Sequence, residues 1–167
     1  MAQEIERKFL VNIDLWKPQT AGIKIMQCYL ARTEGMTLRL RLADDKAFLT
    51  LKGATRGITR SEFEYAIPRQ DALDMIKEFP VSASVCKMRY YSQVGNHRWE
   101  VDIFEGANAG LAVAEIELES ADEKFELPEW VTREVSGDRR YRNAYLAEHP
   151  YRSWAEKSES SNADNEL

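Results

Sequence analysis

The sequence predicts a mainly β fold of the α+β class, one domain in which eight strands form a barrel or a sandwich. Three observations lead there. Segments alternating apolar and polar residues recur at 2–11, 23–31, 35–43, 46–53, 59–67, 82–93, 97–104 and 110–119. Turn-forming clusters separate them: Thr33-Glu34-Gly35, Asp44-Asp45, Gly53 to Gly57, Val94-Gly95-Asn96 and Gly106 to Gly110. Most of these links are short, as antiparallel hairpins require.

Helices are few. Ile13 to Trp16 reads as a single turn ended by Pro18. Arg69 to Phe79 places Leu73, Ile76 and Phe79 at helical spacing and stops at Pro80. Asp138 is placed to cap a helix through Leu146, with Tyr141, Ala144 and Tyr145 on one stripe. No repeat and no linker divides the chain, so residues 1–150 are expected to form one domain. Residues 155–167 contain no aromatic residue and are expected to be a disordered tail.

Composition excludes several function classes. The 167 residues are 44% apolar and 31% charged, an ordinary balance for a packed domain. No run of 18 apolar residues exists, so no membrane span is expected. The first eight residues are acidic and strand-like rather than a secretory signal. Two cysteines, Cys28 and Cys86, cannot build a disulfide framework or a four-ligand metal site, which suits a cytoplasmic setting. With 23 basic against 28 acidic residues, a nucleic-acid partner is not expected.

The polar faces of the strands hold the chemistry. Glu4, Glu6 and Lys8 share one face of the first strand. Arg39 and Arg41 alternate with leucines in the third, and Thr50 and Lys52 in the fourth. Arg60, Glu62 and Glu64 follow in the fifth, Lys87 and Arg89 in the sixth, Arg98, Glu100 and Asp102 in the seventh, and Glu115 and Glu117 in the last. The second strand puts Gln27 and Tyr29 on the corresponding face. Eight cations thus meet eight anions. On a sandwich these rows would be a solvated surface. In a ring closed with this face inward they line a lumen, and the apolar faces need external cover from Leu73, Ile76, Phe79, Trp16 and Trp130. Buried charge without a partner costs several kcal/mol, so that lumen must be wet and internally paired. Arg and Lys on several strands make fixed donors for phosphate oxygens. Clustered carboxylates suit a hard cation such as Mg²⁺ or Mn²⁺. No Gly-rich phosphate loop is present, so side chains would hold the phosphate.

Glu4-Ile5-Glu6-Arg7-Lys8 resembles the ExExK signature of the CYTH superfamily, the triphosphate tunnel metalloenzymes. In order follow Thr37-Leu38-Arg39-Leu40-Arg41, Thr50-Leu51-Lys52, Arg60-x-Glu62-x-Glu64, Lys87-x-Arg89, Glu100-x-Asp102 and Glu115-x-Glu117. The ending Gly137-Asp138-Arg139-Arg140-Tyr141-x-Asn143 is similar to compact bacterial members, and the resemblance spans 2–147. It implies a closed eight-stranded antiparallel β-barrel, a tunnel open at both ends with a few covering helices. It implies phosphate binding by Lys8, Arg39, Arg41, Lys52, Arg60, Lys87 and Arg89. The family's acidic set falls on Glu4, Glu6, Glu62, Glu64, Asp102, Glu115 and Glu117. Glu4, Glu6, Glu115 and Glu117 are the first choice as metal ligands, the others holding metal-bound water or orienting bases. Lys52, Lys87, Glu64 and Tyr29 are the candidate catalytic residues.

The expected activity is metal-dependent cleavage of inorganic tripolyphosphate to pyrophosphate and phosphate, with Mg²⁺ or Mn²⁺ as cofactor. The tunnel motifs are shared by adenylyl cyclases and thiamine triphosphatases, which stay open as alternatives, as does a non-catalytic polyphosphate- or nucleotide-binding module. The partner is a small-molecule triphosphate, and the outward apolar faces admit a homodimer. Cys28 and Cys86 are expected as structural thiols, and His97 and His149 as exposed.

Overall fold

The computed structural model describes residues 2–155. The strands are β1 (Gln3–Val11), β2 (Ile23–Thr33), β3 (Met36–Ala43), β4 (Lys46–Gly53), β5 (Thr59–Ile67), β6 (Val85–Val94), β7 (His97–Phe104), β8 (Ala112–Glu117) and β9 (Val131–Glu134). Helix α1 spans Arg69–Glu78 and α2 spans Asn143–Glu148. Neighbours run β5-β4-β3-β2-β6-β7-β8-β1, every pair antiparallel, and β1 returns to β5. Eight strands therefore form a closed ring.

Closure is brief, through Gln3↔Ser61, Glu4↔Arg60 and Ile5↔Thr59. Beyond it β9 takes over the same edge of β1, pairing Phe9↔Glu134 and Val11↔Val131. Four residues with no clear alternation gave β9 no sequence signal. Hairpin geometry is as expected from the turns. Gly95 and Asn96 join Val94 to His97, and Gly95 sits at φ +58°, where a side chain would be strained.

The ring is inside-out relative to an ordinary small barrel. Lys8, Arg39, Lys87, Arg89 and Asp102 are buried on its inner face, while two apolar clusters lie outside. Ala72, Leu73, Met75 and Ile76 of α1 cover Leu40, Leu42 and Ala47. Trp16, Trp99 and Trp130 join Phe9, Val101 and Ile116 over β1, β7 and β8. Phe79, expected as cover, is instead 48% exposed, because α1 ends before it and the backbone turns extended there.

The third cluster is different. Tyr29, Val85, Phe104 and Val113 lie in register with the inward charged rows, yet they pack on Val135, Tyr141, Leu146 and Ala147. The C-terminal segment thus lies against the inner face, so that part of the channel is filled rather than open. The single helix expected from Asp138 is broken for the same reason. Asp138 caps a 3₁₀ turn, Arg139–Tyr141, by accepting from the Arg140 N–H at 3.1 Å. The Tyr141 carbonyl, which would continue a helix, instead accepts from Lys8 Nζ at 3.1 Å. Arg142 is extended, and α2 starts after it. The turn at 13–16 forms, with the Leu15 and Trp16 N–H groups donating to the Asn12 carbonyl. Of the expected tail, Ala155 is helical and the rest lies outside the described residues. No helix among the described residues is long and apolar enough to cross a membrane.

Candidate active site in the charged lumen

One cavity of about 1650 Å³ occupies the ring. Its wall brings together Lys8, Arg39, Arg41, Lys52, Arg60, Lys87 and Arg89, along with Glu4, Glu6, Glu62, Glu64, Glu115, Glu117 and Tyr29. The rows that alternation placed on separate strands face one space. Register explains the sign pattern. Lys8 sits opposite Glu115 and Lys52 opposite Glu62, each a cation facing a carboxylate, whereas Glu6 sits opposite Glu117 and Glu100 opposite Glu115, like charges face to face.

Five cations are paired within the wall. Lys8 Nζ lies 3.3 Å from Glu115 Oε1. Lys52 Nζ lies 3.0 Å from Glu4 Oε2 and 3.8 Å from Glu62 Oε1. Arg39 Nη2 reaches Glu64 Oε2 at 3.4 Å, and Thr50 Oγ1 donates to the same oxygen at 2.8 Å. Arg89 grips Asp102 with Nε and Nη2 at 2.8 and 3.0 Å and places Nη1 3.2 Å from Glu100. Lys87 Nζ lies 2.7 Å from Asp102 Oδ2. Two cations have no carboxylate partner among the described residues. Arg41 Nε donates to Gln27 Oε1 at 3.1 Å, and Arg60 donates twice to the Gly53 carbonyl, at 3.1 and 2.9 Å.

These pairings set the charge states. Burial alone would raise Asp102, but Arg89 and Lys87 outweigh it and hold its carboxyl well below the usual range. Glu115 is half-buried; desolvation would raise it, yet it is pulled down to about 2, chiefly by Lys8. Burial draws Lys87 down to about 7, with Arg89 and Arg41 pushing the same way against Asp102. Burial and the neighbouring Arg39 and Arg89 bring Arg41 down to about 10. Glu6 goes the other way. Burial, then Glu115 and Glu4, push its carboxyl well above the usual range.

Asp102 does not line the cavity; it lies on the inner face beneath Lys87 and Arg89, which take both its oxygens. Tyr29 lines the cavity at the edge of the filled region, packed with the cluster of Val85, Phe104 and Tyr141. Sequence reasoning missed several lining residues. A register shift after Tyr29 pairs Arg32 with Thr37 and turns Arg32 inward. Arg139, Arg142 and Asn143 arrive from the C-terminal segment. The only sequence signal was the concentration of arginines within 139–142. His97, expected exposed, is half-buried and bonded to Glu123 at 2.8 Å. His149 is exposed and stacked on Tyr145, with ring centroids 4.4 Å apart. Cys28 is buried and Cys86 half-buried, both as free thiols.

A closed antiparallel ring with facing rows of cations and carboxylates defines a class, the charged β-tunnels. Residues 2–147 match the CYTH domain, and the chain belongs to that family. It is 40% identical to an inorganic triphosphatase of Acetivibrio thermocellus over 156 residues, 93% of this chain and all of the relative. An inorganic triphosphatase of Nitrosomonas europaea is 34% identical over 148 residues, 86% of this chain and 96% of the relative. A crystal structure of an inorganic triphosphatase superposes with a TM-score of 0.62 at 32% identity, covering 88% of this chain and 95% of that one.

Proposed function

We propose that the protein hydrolyses inorganic triphosphate to pyrophosphate and phosphate within the ring, with a divalent metal. The observation that supports this most is the single lumen in which seven cations and six carboxylates of the expected set face one another. The identity to two inorganic triphosphatases, across nearly the whole of each, supports the same substrate.

The chain's own residues supply positioning and charge, which is most of what phosphoryl transfer needs. Arg41 and Arg60, without an ion pair to a carboxylate among the described residues, engage phosphate oxygens first. Lys8, Lys52, Lys87, Arg39 and Arg89 are held by their partners in fixed directions and add donors along the chain of phosphates. Water attacks the terminal phosphorus, the bridging P–O bond breaks, and pyrophosphate leaves as an anion held by these cations. The proton of the water passes to a lumen carboxylate. Glu64 suits that role, because Oε2 is occupied by Thr50 and Arg39 while the side chain remains 38% exposed.

The donor chemistry of the acidic wall fits a hard cation. Glu6 and Glu117 have no ion pair with any cation among the described residues, and Glu6 carries the repulsion of two neighbouring carboxylates. Among the described residues no three such side chains already converge on one point, since Glu4 and Glu115 are engaged by lysines. Glu4, Glu6, Glu115 and Glu117 would hold Mg²⁺ or Mn²⁺, with Glu62 and Glu64 beside them. Asp102 instead orients Lys87 and Arg89. When bound, the metal neutralises phosphate charge and lowers the pKa of water.

The test is to incubate the protein with tripolyphosphate, ATP and thiamine triphosphate in Mg²⁺, Mn²⁺ or EDTA. Phosphate release and cyclic AMP are then scored. Fastest phosphate release from tripolyphosphate, abolished by EDTA, supports the reading. Cyclic AMP as main product, or binding without turnover, overturns it.

A further inference from the structure

The lumen lysines are not aimed by the ring alone. Two of them donate to one three-residue stretch of the C-terminal segment. Lys8 Nζ reaches the Tyr141 carbonyl at 3.1 Å, and Lys87 Nζ reaches Asn143 Oδ1 at 3.2 Å. Each ammonium has three donors. Lys8 spends two on Glu115 and Tyr141, and Lys87 spends two on Asp102 and Asn143. Each is left with one N–H, whose direction the other two fix.

The stretch is itself rigid. Tyr141 is buried with Leu146 and Ala147, and its hydroxyl accepts from Arg133 Nη2 at 3.1 Å. The Val135 N–H donates to the Lys8 carbonyl at 2.8 Å, and the Lys8 N–H donates to Ser136 Oγ at 2.9 Å. Asn143 heads α2, lines the cavity and is the one side chain by which this stretch holds a lumen lysine.

We propose that Asn143 is a positioning residue for triphosphate cleavage, directing the third N–H of the Lys87 ammonium at a phosphate oxygen. This rests on the hydrolytic reading above. Lys87 lines the cavity although its side chain has no solvent-exposed surface, and Nζ lies 5.4 Å from the centroid of the Phe104 ring, so without Asn143 that N–H turns toward the ring. A donor misplaced by an ångström costs up to about 100-fold in rate.

The experiment measures kcat, KM and Tm with tripolyphosphate for wild type, Asn143→Ala and Asn143→Asp. Asp keeps an oxygen where Oδ1 stands. The expected result for Asn143→Ala is a kcat lowered roughly 10- to 100-fold, with KM within about 3-fold and Tm within a few degrees. Asn143→Asp recovers most of kcat. Wild-type kcat in Asn143→Ala overturns the proposal, as does equal impairment of both variants. If Asn143→Ala does not fold, a folded Asn143→Asp with a collapsed kcat overturns it equally, and one with a largely retained kcat supports it. An inactive wild type instead overturns the hydrolytic reading and is distinct from these outcomes.

Discussion

Lys87 Nζ lies 2.7 Å from Asp102 Oδ2, and both side chains are buried. Arg89 holds the same carboxylate through two nitrogens. One anion therefore fixes two of the lumen's cations from beneath them. Asp102→Ala leaves both buried charges without their shared anion, and breaking such a pair costs on the order of 3–5 kcal/mol. Urea unfolding should show a loss of that size together with loss of hydrolysis. Stability within 1 kcal/mol of wild type, roughly the scale of a surface change, would contradict this role.

Lys87 gives a pH dependence with a definite sign. Its folded value, about 7, lies below the unfolded value of roughly 10.4. Between those values the unfolded chain binds more protons, so this group makes stability rise with pH. A polyanion beside Nζ favours the ammonium. Well above pH 7, where tripolyphosphate carries its full charge, binding should take up protons. Calorimetry in buffers of different ionisation enthalpy measures the number. Uptake that vanishes in Lys87→Met fits; no uptake in wild type refutes the assignment.

Arg41 lines the cavity without a carboxylate partner among the described residues, and as a phosphate donor it would act at the expense of the fold. It is half-buried beside Arg39 and Arg89, and among the described residues Gln27 is its side-chain hydrogen-bond acceptor. Arg41→Gln relieves that repulsion, so Tm should hold or rise by a few degrees while kcat/KM falls about 100-fold or more. A large drop in Tm would show that Arg41 stabilises the ring.

Glu6 is the corresponding anion. It is half-buried, and desolvation first, then Glu115 and Glu4, push its carboxyl up. Glu6→Gln should leave the metal-free protein as stable as wild type or more so, by thermal melting in EDTA. The gain in Tm that Mn²⁺ gives wild type should shrink in the variant. An undiminished Mn²⁺-dependent gain would remove Glu6 from the metal set.

Much of the site was legible because the β-strand period is rigid. Once Glu4, Glu6 and Lys8 share a face, their direction follows, and six further strands repeat the pattern. What alternation cannot show is a register shift. The irregularity after Tyr29 turned Arg32 inward without any cue. Nor does it show where a non-strand segment crosses. Val135, Tyr141 and Leu146 lie on the inner face through contacts distant in sequence, and they bring Arg142 and Asn143 with them. The same tertiary contact split the expected helix, since Lys8 took the Tyr141 carbonyl.

The most direct measurement is a crystal structure with tripolyphosphate and Mn²⁺ bound to a slow variant such as Lys52→Ala. Phosphate oxygens are expected in contact with Arg41, Arg60 and Lys87, with anomalous density for manganese beside Glu6 and Glu117. Tripolyphosphate bound only to the exterior of the ring, with the lumen holding water alone, would contradict this.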